Sequence, residues 1–299
     1  MSNVRSSVAR VALFALLAVS VGSARGDVAL KWSGKPGETF KYAFSQVQEL
    51  KYTIDGLPRS SRSELSVDMT WVVKSVATDG AIEVSIVADR VRVKTTSDGR
   101  IIAYDSGDKD AAATPEAEVF RKAYDAMIGK AYVLKISAQG EVVDVKVPDA
   151  VIAAIGGTPF AANADSGSFH SPTGVKNMFA QIMPKLPKAP VASGANWKSS
   201  LTLPAGPSKI ELQNTYTITS DAPVATFSAK IDTTITSPVD APITLKMNKQ
   251  SGTGKFTFDT RAGHLADAAI HQSFDMTLKD AQKEVPQTIE LDLSLKLIK

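Results

Sequence analysis

The sequence contains no cysteine among its 299 residues. The chain therefore has no disulfide, no thiol nucleophile, no cysteine-bound zinc and no iron–sulfur cluster. Small exported proteins often depend on disulfides, whereas a chain of about 270 residues buries enough apolar surface to fold without them. The lack of cysteine thus excludes several kinds of chemistry but is compatible with export.

Histidine is almost as scarce, with three in the chain. His170 falls in a Gly/Ala/Ser-rich stretch, His264 in a turn and His271 on the polar face of a strand, so we expect all three at the surface. Their spacing does not match His-Glu-x-x-His, and the sequence has no Gly-x-Ser-x-Gly elbow and no phosphate-binding loop. The sequence predicts neither an enzyme nor a cofactor. The competing interpretation is a hydrolase in which His170 or His264 meets a carboxylate and a serine only after folding.

One acidic cluster contains Asp105, Asp108 and Asp110. Its spacing departs from that of the EF-hand, and Lys109 lies among the acids. We expect a solvated loop here and no metal site.

The first residues have the pattern of a cleavable export signal. Arg5 and Arg10 precede an apolar run, 11–21, that is much shorter than the roughly twenty residues needed to span a membrane. We expect cleavage after Gly26, with cleavage after Ala24 as the alternative, and no cysteine follows to carry a lipid. The sequence therefore predicts a signal peptide, a mature chain without a transmembrane segment, and a periplasmic or extracellular location.

The mature chain lacks net charge. Residues 1–26 hold three of the 34 basic groups and none of the 31 acidic ones, so the remaining chain carries 31 of each sign. A neutral protein has no overall field that attracts nucleic acid or an anionic membrane. We expect no nucleic-acid partner.

What the sequence does have is period-two alternation of apolar and polar residues, the pattern of β-strands with one buried face. The alternation is most regular in 287–299, and two similar stretches precede it with turns between them. These three stretches predict an antiparallel meander at the end of the chain. Earlier in the chain, a change of phase predicts a bulge near 87–89.

Two stretches change to helical periodicity. Thr114 and Ser171 are N-cap residues, each followed by a proline at the first helical position, and they predict helices at 115–128 and 172–183. The connecting order is strands, helix, two strands, helix, strands, within a single domain over 27–299.

Two irregular segments flank the second helix. Residues 156–170 are rich in Gly, Ala and Ser, and we expect a mobile loop that serves as a hinge for the helix. Residues 184–196 contain three prolines at intervals of three, which predicts a stiff extended connector between two halves of the sheet.

Arg90, Arg92 and Lys94 share one strand face, with Arg100 after the next turn. A site for a polyanion is one interpretation of this patch. We favour outward charges that discourage pairing at a sheet edge.

The predicted strands and helices differ greatly in area. Ten or so long strands make a sheet about 50 Å wide, whereas each helix is only about 20 Å long. The helices cannot cover one apolar face of a flat sheet of that width. The sequence therefore predicts a mainly β fold, in which long antiparallel strands form a curved sheet or open barrel that two short helices cover or plug, unless a ligand or partner covers the remainder.

Aromatic residues and one methionine occupy inward positions of these strands. Packing in the core is the usual role of such residues. The alternative role is to line an apolar ligand cavity, where an acyl chain would gain about 0.8 kcal/mol per buried methylene. The candidate lining residues are Tyr42, Phe44, Trp71, Phe256, Phe258, Phe274 and Met276.

A family resemblance is carried by the opening Leu-Lys-Trp-Ser-Gly-Lys-Pro-Gly-Glu-Thr-Phe-Lys-Tyr at 30–42, by 252–259 and by 263–265. These segments resemble a family of exported bacterial β-rich proteins of unknown function. More distantly, long antiparallel strands wrapped around helices are similar to the open barrels of periplasmic lipoprotein carriers such as LolA. The resemblance transfers no functional residues.

Two functions remain from the sequence. The first is a non-enzymatic binding or carrier module of the cell envelope, which takes an apolar ligand or a lipid-modified partner protein. The alternative is a structural or interaction component of the envelope with a fully packed core.

Overall fold

A computed structural model of the chain describes residues 27–108, 114–156, 158, 160–220, 223–238, 240–280 and 283–298. The predicted signal peptide and Asp110 lie outside the described residues. Among the described residues, no helix has the length and apolarity required to cross a membrane.

In the described residues, twelve antiparallel strands form one sheet, and three α-helices and a short 3₁₀ helix accompany it. The strands are β1 Thr39–Ile54, β2 Leu57–Val76, β3 Ile82–Ser97, β4 Arg100–Asp105, β5 Ala131–Ile136, β6 Val142–Lys146, β7 Asn196–Ala205, β8 Ser208–Ser220, β9 Val224–Thr236, β10 Thr244–Asp259, β11 His264–Lys279 and β12 Glu284–Ile298. The helices are α1 Pro115–Asp125, α2 Asp149–Ala154, the 3₁₀ helix Ala161–Ser166 and α3 Pro172–Ile182.

The strand order is β6-β5-β3-β2-β1-β12-β11-β10-β9-β8-β7, with β4 paired to β3 beside this path. The predicted meander of β10, β11 and β12 is confirmed, and β12 also pairs with β1, which joins the two ends of the chain. The path has two ends, β6 and β7, so the sheet is open and does not close into a barrel.

Alternation along the strands separates an inner from an outer face. In β12, Leu293 and Leu295 are buried while Asp292 and Lys296 are exposed. The predicted bulge is confirmed at Asp89, because Arg90 pairs with Asp68 and Ala88 with Met69, which leaves residue 89 without a partner across the ladder.

Both predicted helix starts are confirmed. The Thr114 side chain accepts a hydrogen bond from the Ala117 amide at 3.1 Å, and that of Ser171 accepts one from the Gly174 amide at 2.8 Å. Helix α1 ends at Asp125, three residues earlier than predicted, because the following residues form tight turns and Ile128 bridges to β3.

The sheet curls around α3. This helix contacts β6 near one end of the strand order, β7 at the other end, and β11 and β12 in the middle. Eleven helical residues are about 16 Å long, whereas ten strand spacings amount to about 48 Å. One short helix reaches both ends of so wide a sheet only because the sheet curves, and this curvature removes most of the predicted shortfall in cover.

The core extends along the inner face, and part of it fills the space between α3 and the β1–β3 side of the sheet. Trp71 packs against Tyr42 and Phe179, with ring centroids 5.0 and 5.3 Å apart respectively. The Tyr42 hydroxyl donates a 2.7 Å hydrogen bond to the Leu265 carbonyl.

The segment before α3 differs from the predicted mobile loop. Its described part contains the 3₁₀ helix, and Phe169 and His170 are 4 % and 3 % exposed. The ring of Phe169 meets Phe44 and Phe179 edge-on, so burial of this aromatic side chain ties the segment to the core.

The proposed edge role of the arginines on β3 is wrong, because β3 pairs with β2 on one side and with β4 and β5 on the other. Arg90 donates two hydrogen bonds to Asp105, at 2.8 and 2.6 Å, and Arg92 donates one to Asp68 at 2.7 Å. The guanidinium of Arg90 lowers the pKa of Asp105 to about 2. These outer-face charges neutralise each other across neighbouring strands.

Candidate functional site

A cavity of about 240 Å³ lies between α3 and the part of the inner face formed by β1 and β7 to β12. Met178 and Gln181 of α3 form one side, and apolar side chains of six strands form most of the other. Those strand side chains include Leu203, Ile210, Ile235, Met247, Phe274, Met276, Ile289, Leu291 and Leu293.

The cavity lies where the sheet forks. Strands β9 and β10 pair from Val224 opposite Asp259 to Lys230 opposite Thr253, and their described residues form no further ladder. Beyond that point β9 continues beside β8, and β10 continues beside β11. We call this divergence of β9 and β10 the fork. Its two branches supply opposite parts of the cavity lining.

Gly252 sits at the start of the fork. A Cβ atom at this position would lie 2.8 Å from both the Cβ and the carbonyl oxygen of Ile231. The missing side chain therefore lets the two strands touch at the point where their ladder ends.

Side-chain hydrogen bonds connect the branches further along. The Ser237 hydroxyl accepts a bond from the Leu245 amide at 3.0 Å and approaches the Leu245 carbonyl at 3.3 Å. Gln250 Nε2 donates to Asp232 Oδ1 at 3.3 Å. These few bonds replace a continuous backbone ladder.

The seven residues proposed from the sequence divide between two places. Phe274 and Met276 line the cavity. The other five do not line it and are packed in the core, at 0 % to 4 % exposure. These five are Tyr42, Phe44, Trp71, Phe256 and Phe258.

Most residues that line the cavity are not among the seven predicted from the sequence. Alternation places Leu203, Ile235 and Leu291 on the inner face, which is a signal that was available. The sequence does not tell which inner residues α3 covers tightly and which it leaves beside a cavity.

The polar side chains that line the cavity are uncharged. No charged side chain is among the described residues that line it, and its polar members are Gln46, Gln48, Gln181 and Thr233. The Oγ1 atom of Thr233 is buried and has no hydrogen-bond partner in the described part of the chain.

The expected surface positions of two histidines are wrong. His170 and His264 are 3 % and 7 % exposed. His170 Nε2 lies 3.3 Å from the Ala123 carbonyl, and burial lowers the pKa of this ring. The ring of His264 packs on Phe40 with centroids 4.5 Å apart.

The arrangement of histidines does not form a catalytic dyad in the described residues. The hydrogen bonds of the His170 and His264 rings go to backbone carbonyls. His271, on the outer face, contacts Asp292 at 2.8 Å, whereas the neighbouring Ser273 hydroxyl donates to Glu290. In this part of the chain, the three imidazoles make no hydrogen bond to a serine hydroxyl.

Metal ligands do not cluster either: within the described ranges, no group of three or more His, Asp or Glu side chains is arranged to hold an ion.

The fold and cavity define a class of protein. In this class a broad antiparallel sheet, not closed into a barrel, curls around a helix, and an apolar cavity lies beside that helix. A model of DUF6263, a family of unknown function, matches residues 79–265, which is more than half of the chain. The chain belongs to this family. The resemblance to a family of unknown function is thus confirmed, and the match includes the 252–259 segment that carried part of it.

Among solved structures, one that describes lipid–protein interactions in lipovitellin has a TM-score of 0.50 at 13% identity. The match covers 89% of this chain and 25% of that one, so the chain spans about a quarter of the lipovitellin length. At this identity the likeness concerns the fold alone.

Two further structures are too dissimilar to support any argument. The translocator domain of the autotransporter NalP from Neisseria meningitidis is 7% identical over 88% of this chain and 89% of that one, with a TM-score of 0.21. A mutant of Rh. blastica porin is 9% identical over 87% and 100%, with a TM-score of 0.19. No curated protein matches the sequence significantly.

Proposed function

We propose that this chain is a non-enzymatic binding module that carries an apolar ligand in the cavity beside α3. The observation that carries the proposal is the lining of that cavity, in which side chains such as Phe274, Met276 and Leu291 surround a volume of about 240 Å³. An apolar cavity of about 150 Å³ is already large enough to bind benzene.

The size of the cavity favours a slender ligand. Drug-sized ligands occupy pockets of about 300 Å³ or more, whereas an alkyl chain needs less width. Each methylene of such a chain contributes about 0.8 kcal/mol when it is buried, so a chain of several methylenes binds without a charged anchor.

The fold likeness to lipovitellin supports the proposal, since the matched structure describes lipid–protein interactions in that protein. The fork gives a second reason. Strands β9 and β10 separate beside the cavity, and a few side-chain bonds yield more easily than a complete ladder.

We place this function in the cell envelope, because the N-terminal sequence has the pattern of an export signal. N-terminal sequencing of protein recovered from the envelope or medium should begin at Asp27 or Arg25. Intact Met1 on cytosolic material would refute export but would not contradict ligand binding in the cavity.

A blocking substitution tests the binding function. Ala205 lines the cavity and is partly exposed, so Ala205→Phe should fill space there at little cost to stability. We expect the variant to bind an apolar fluorescent probe about tenfold more weakly than the unmodified chain. The matched control is Ala269→Phe, on the exposed outer face of β11.

Three outcomes are informative. Weaker binding in Ala205→Phe alone supports the cavity. Equal binding in both variants places the probe elsewhere and contradicts the proposal. If the unmodified chain takes up no probe, the carrier function fails and the structural alternative stands.

A further inference from the structure

The cavity lining gives information about the polar end of its ligand as well as the apolar part. All of its polar side chains are uncharged, namely Gln46, Gln48, Gln181 and Thr233. On the adjoining strand β9, Lys230 is exposed and pairs with Asp232 at 2.8 Å. A ligand inside this cavity therefore meets amide and hydroxyl groups and no counter-ion.

Three buried polar atoms in this region lack hydrogen-bond partners in the described residues. They are Thr233 Oγ1, Gln250 Oε1 and Gln272 Nε2. Native proteins leave few buried polar atoms unpaired, so each such atom calls for a partner. Thr233 is 4 % exposed and is itself part of the lining.

The two glutamines adjoin the same wall. Gln272 is 3 % exposed and lies opposite Leu291, and Gln250 lies opposite Phe274. Leu291 and Phe274 both line the cavity. Side chains on directly opposite strand residues are about 5 Å apart at Cβ, so the Gln272 amide adjoins the cavity lining. The Gln250 amide is held by its hydrogen bond to Asp232 and does not turn into the cavity.

The unpaired atoms include both donors and acceptors. Gln272 Nε2 donates, Gln250 Oε1 accepts, and the Thr233 hydroxyl does either because its hydrogen rotates. A hydroxyl, an ester or an amide on the ligand provides complementary groups.

Other ligand chemistries fit less well. A carboxylate or phosphate would enter without any cation to pair with, which is unfavourable in an apolar enclosure. A pure hydrocarbon would leave the polar atoms of Thr233 and Gln272 unpaired. We infer that the ligand is a neutral amphiphile, an alkyl chain with an uncharged hydroxyl, ester or amide head, bound with its head against Thr233 and Gln272. This inference rests on the proposed carrier function.

The experiment compares three probes of equal chain length: 1-dodecanol, dodecanoate and dodecane. Each competes with an apolar fluorescent dye for the purified full chain at pH 7.5. We expect dodecanol to displace the dye at concentrations about tenfold lower than either of the others. Dodecanoate should also become a better competitor as the pH is lowered and its carboxylate is protonated.

Two substitutions test the polar atoms. Thr233→Val and Gln272→Met keep the side-chain volume and remove the hydrogen-bonding group, so each should reduce the preference for dodecanol over dodecane. Thr234→Val, on the exposed face of the same strand, is the matched control and should keep that preference.

The outcomes separate the two proposals. If no probe displaces the dye and none binds directly, the carrier function itself fails. If all three compete equally, or dodecanoate competes best at pH 7.5, the carrier function stands and the neutral-head inference is overturned. The pH dependence of dodecanoate provides a test in the unmodified chain, should a variant fail to fold.

Discussion

Gly252 of β10 and Ile231 of β9 touch at the point where the two strands stop pairing. A Cβ on Gly252 would lie 2.8 Å from the Ile231 carbonyl oxygen, closer than real Cβ contacts. The obstructing atoms are backbone and Cβ atoms, which cannot rotate away. This contact therefore marks the start of the fork.

Gly252→Ala should therefore destabilise the protein, although alanine usually improves a strand interior relative to glycine. We expect the free energy of unfolding to fall by about 1–3 kcal/mol, as in other overpacked sites. Chemical denaturation at 25 °C measures this change. Ser251→Ala, on the exposed face beside it, is the control and should change stability little. An unchanged or higher stability for Gly252→Ala would show that the strands separate freely.

A second glycine holds α3 in place. A Cβ on Gly174 would overlap the Ala164 carbonyl oxygen and lie 2.8 Å from that of Ser168. Gly174→Ala should lower stability despite the gain of about 1 kcal/mol in helix propensity, and it should weaken binding of the apolar probe because α3 forms one side of the cavity. Thr173→Ala, exposed in the same turn, should be neutral or slightly stabilising. If both variants are equally stable, the tight docking of α3 is incorrect.

Substitution of Trp71 tests whether this residue belongs to the core or to a ligand site. Its side chain is 1 % exposed and packs on Tyr42 and Phe179. Trp71→Ala should reduce the free energy of unfolding by about 3–5 kcal/mol, the range for large core truncations. Met276→Ala, which enlarges the cavity, should instead shift binding toward bulkier ligands. If Trp71→Ala loses probe binding but keeps its stability, Trp71 contacts the ligand, as the alternative interpretation of the sequence predicted, and is not a core residue.

Burial of His170 predicts a dependence of stability on pH. Its ring lies against Phe160 and Tyr124 and near the Ala123 carbonyl, and burial lowers its pKa in the folded protein. Above the unfolded-state pKa of about 6.5 the ring is neutral in both states. As the pH falls below that value, the unfolded chain binds a proton that the folded chain does not, so the free energy of unfolding decreases.

The slope due to one such group is at most about 1.4 kcal/mol per pH unit. Denaturation curves between pH 7.5 and 5.5 should show this loss in the unmodified chain and a smaller loss in His170→Phe. An identical slope in both would mean that the ring is accessible to protons in the folded state.

Much of the fold follows from local pattern. Alternation in β12, the phase change at Asp89 and the Ser171-Pro172 start are each written in a few consecutive residues, and each is confirmed. Curvature was predicted from area alone, since two short helices cannot cover a flat sheet of this width.

The site was harder to predict because it depends on long-range contacts. Phe258 and Phe274 both have inward parity, yet the first is fully buried and the second lines the cavity. The fork begins where Gly252 and Ile231 approach closely, and a glycine in a strand pattern does not by itself predict such a divergence. His170 was misplaced because its Gly- and Ala-rich surroundings suggested a loop, whereas the aromatic residues beside it anchor the segment to the core.

Native mass spectrometry of the protein, freshly purified from its native source, tests the central claim most directly. The account predicts a fraction of the chain with additional mass from one bound molecule, which organic solvent extracts as a neutral species with an alkyl chain. The Ala205→Phe variant should carry less of it than Ala269→Phe. A bare chain mass for all three proteins, together with no uptake of an apolar fluorescent probe, would contradict the claim that this fold carries a ligand.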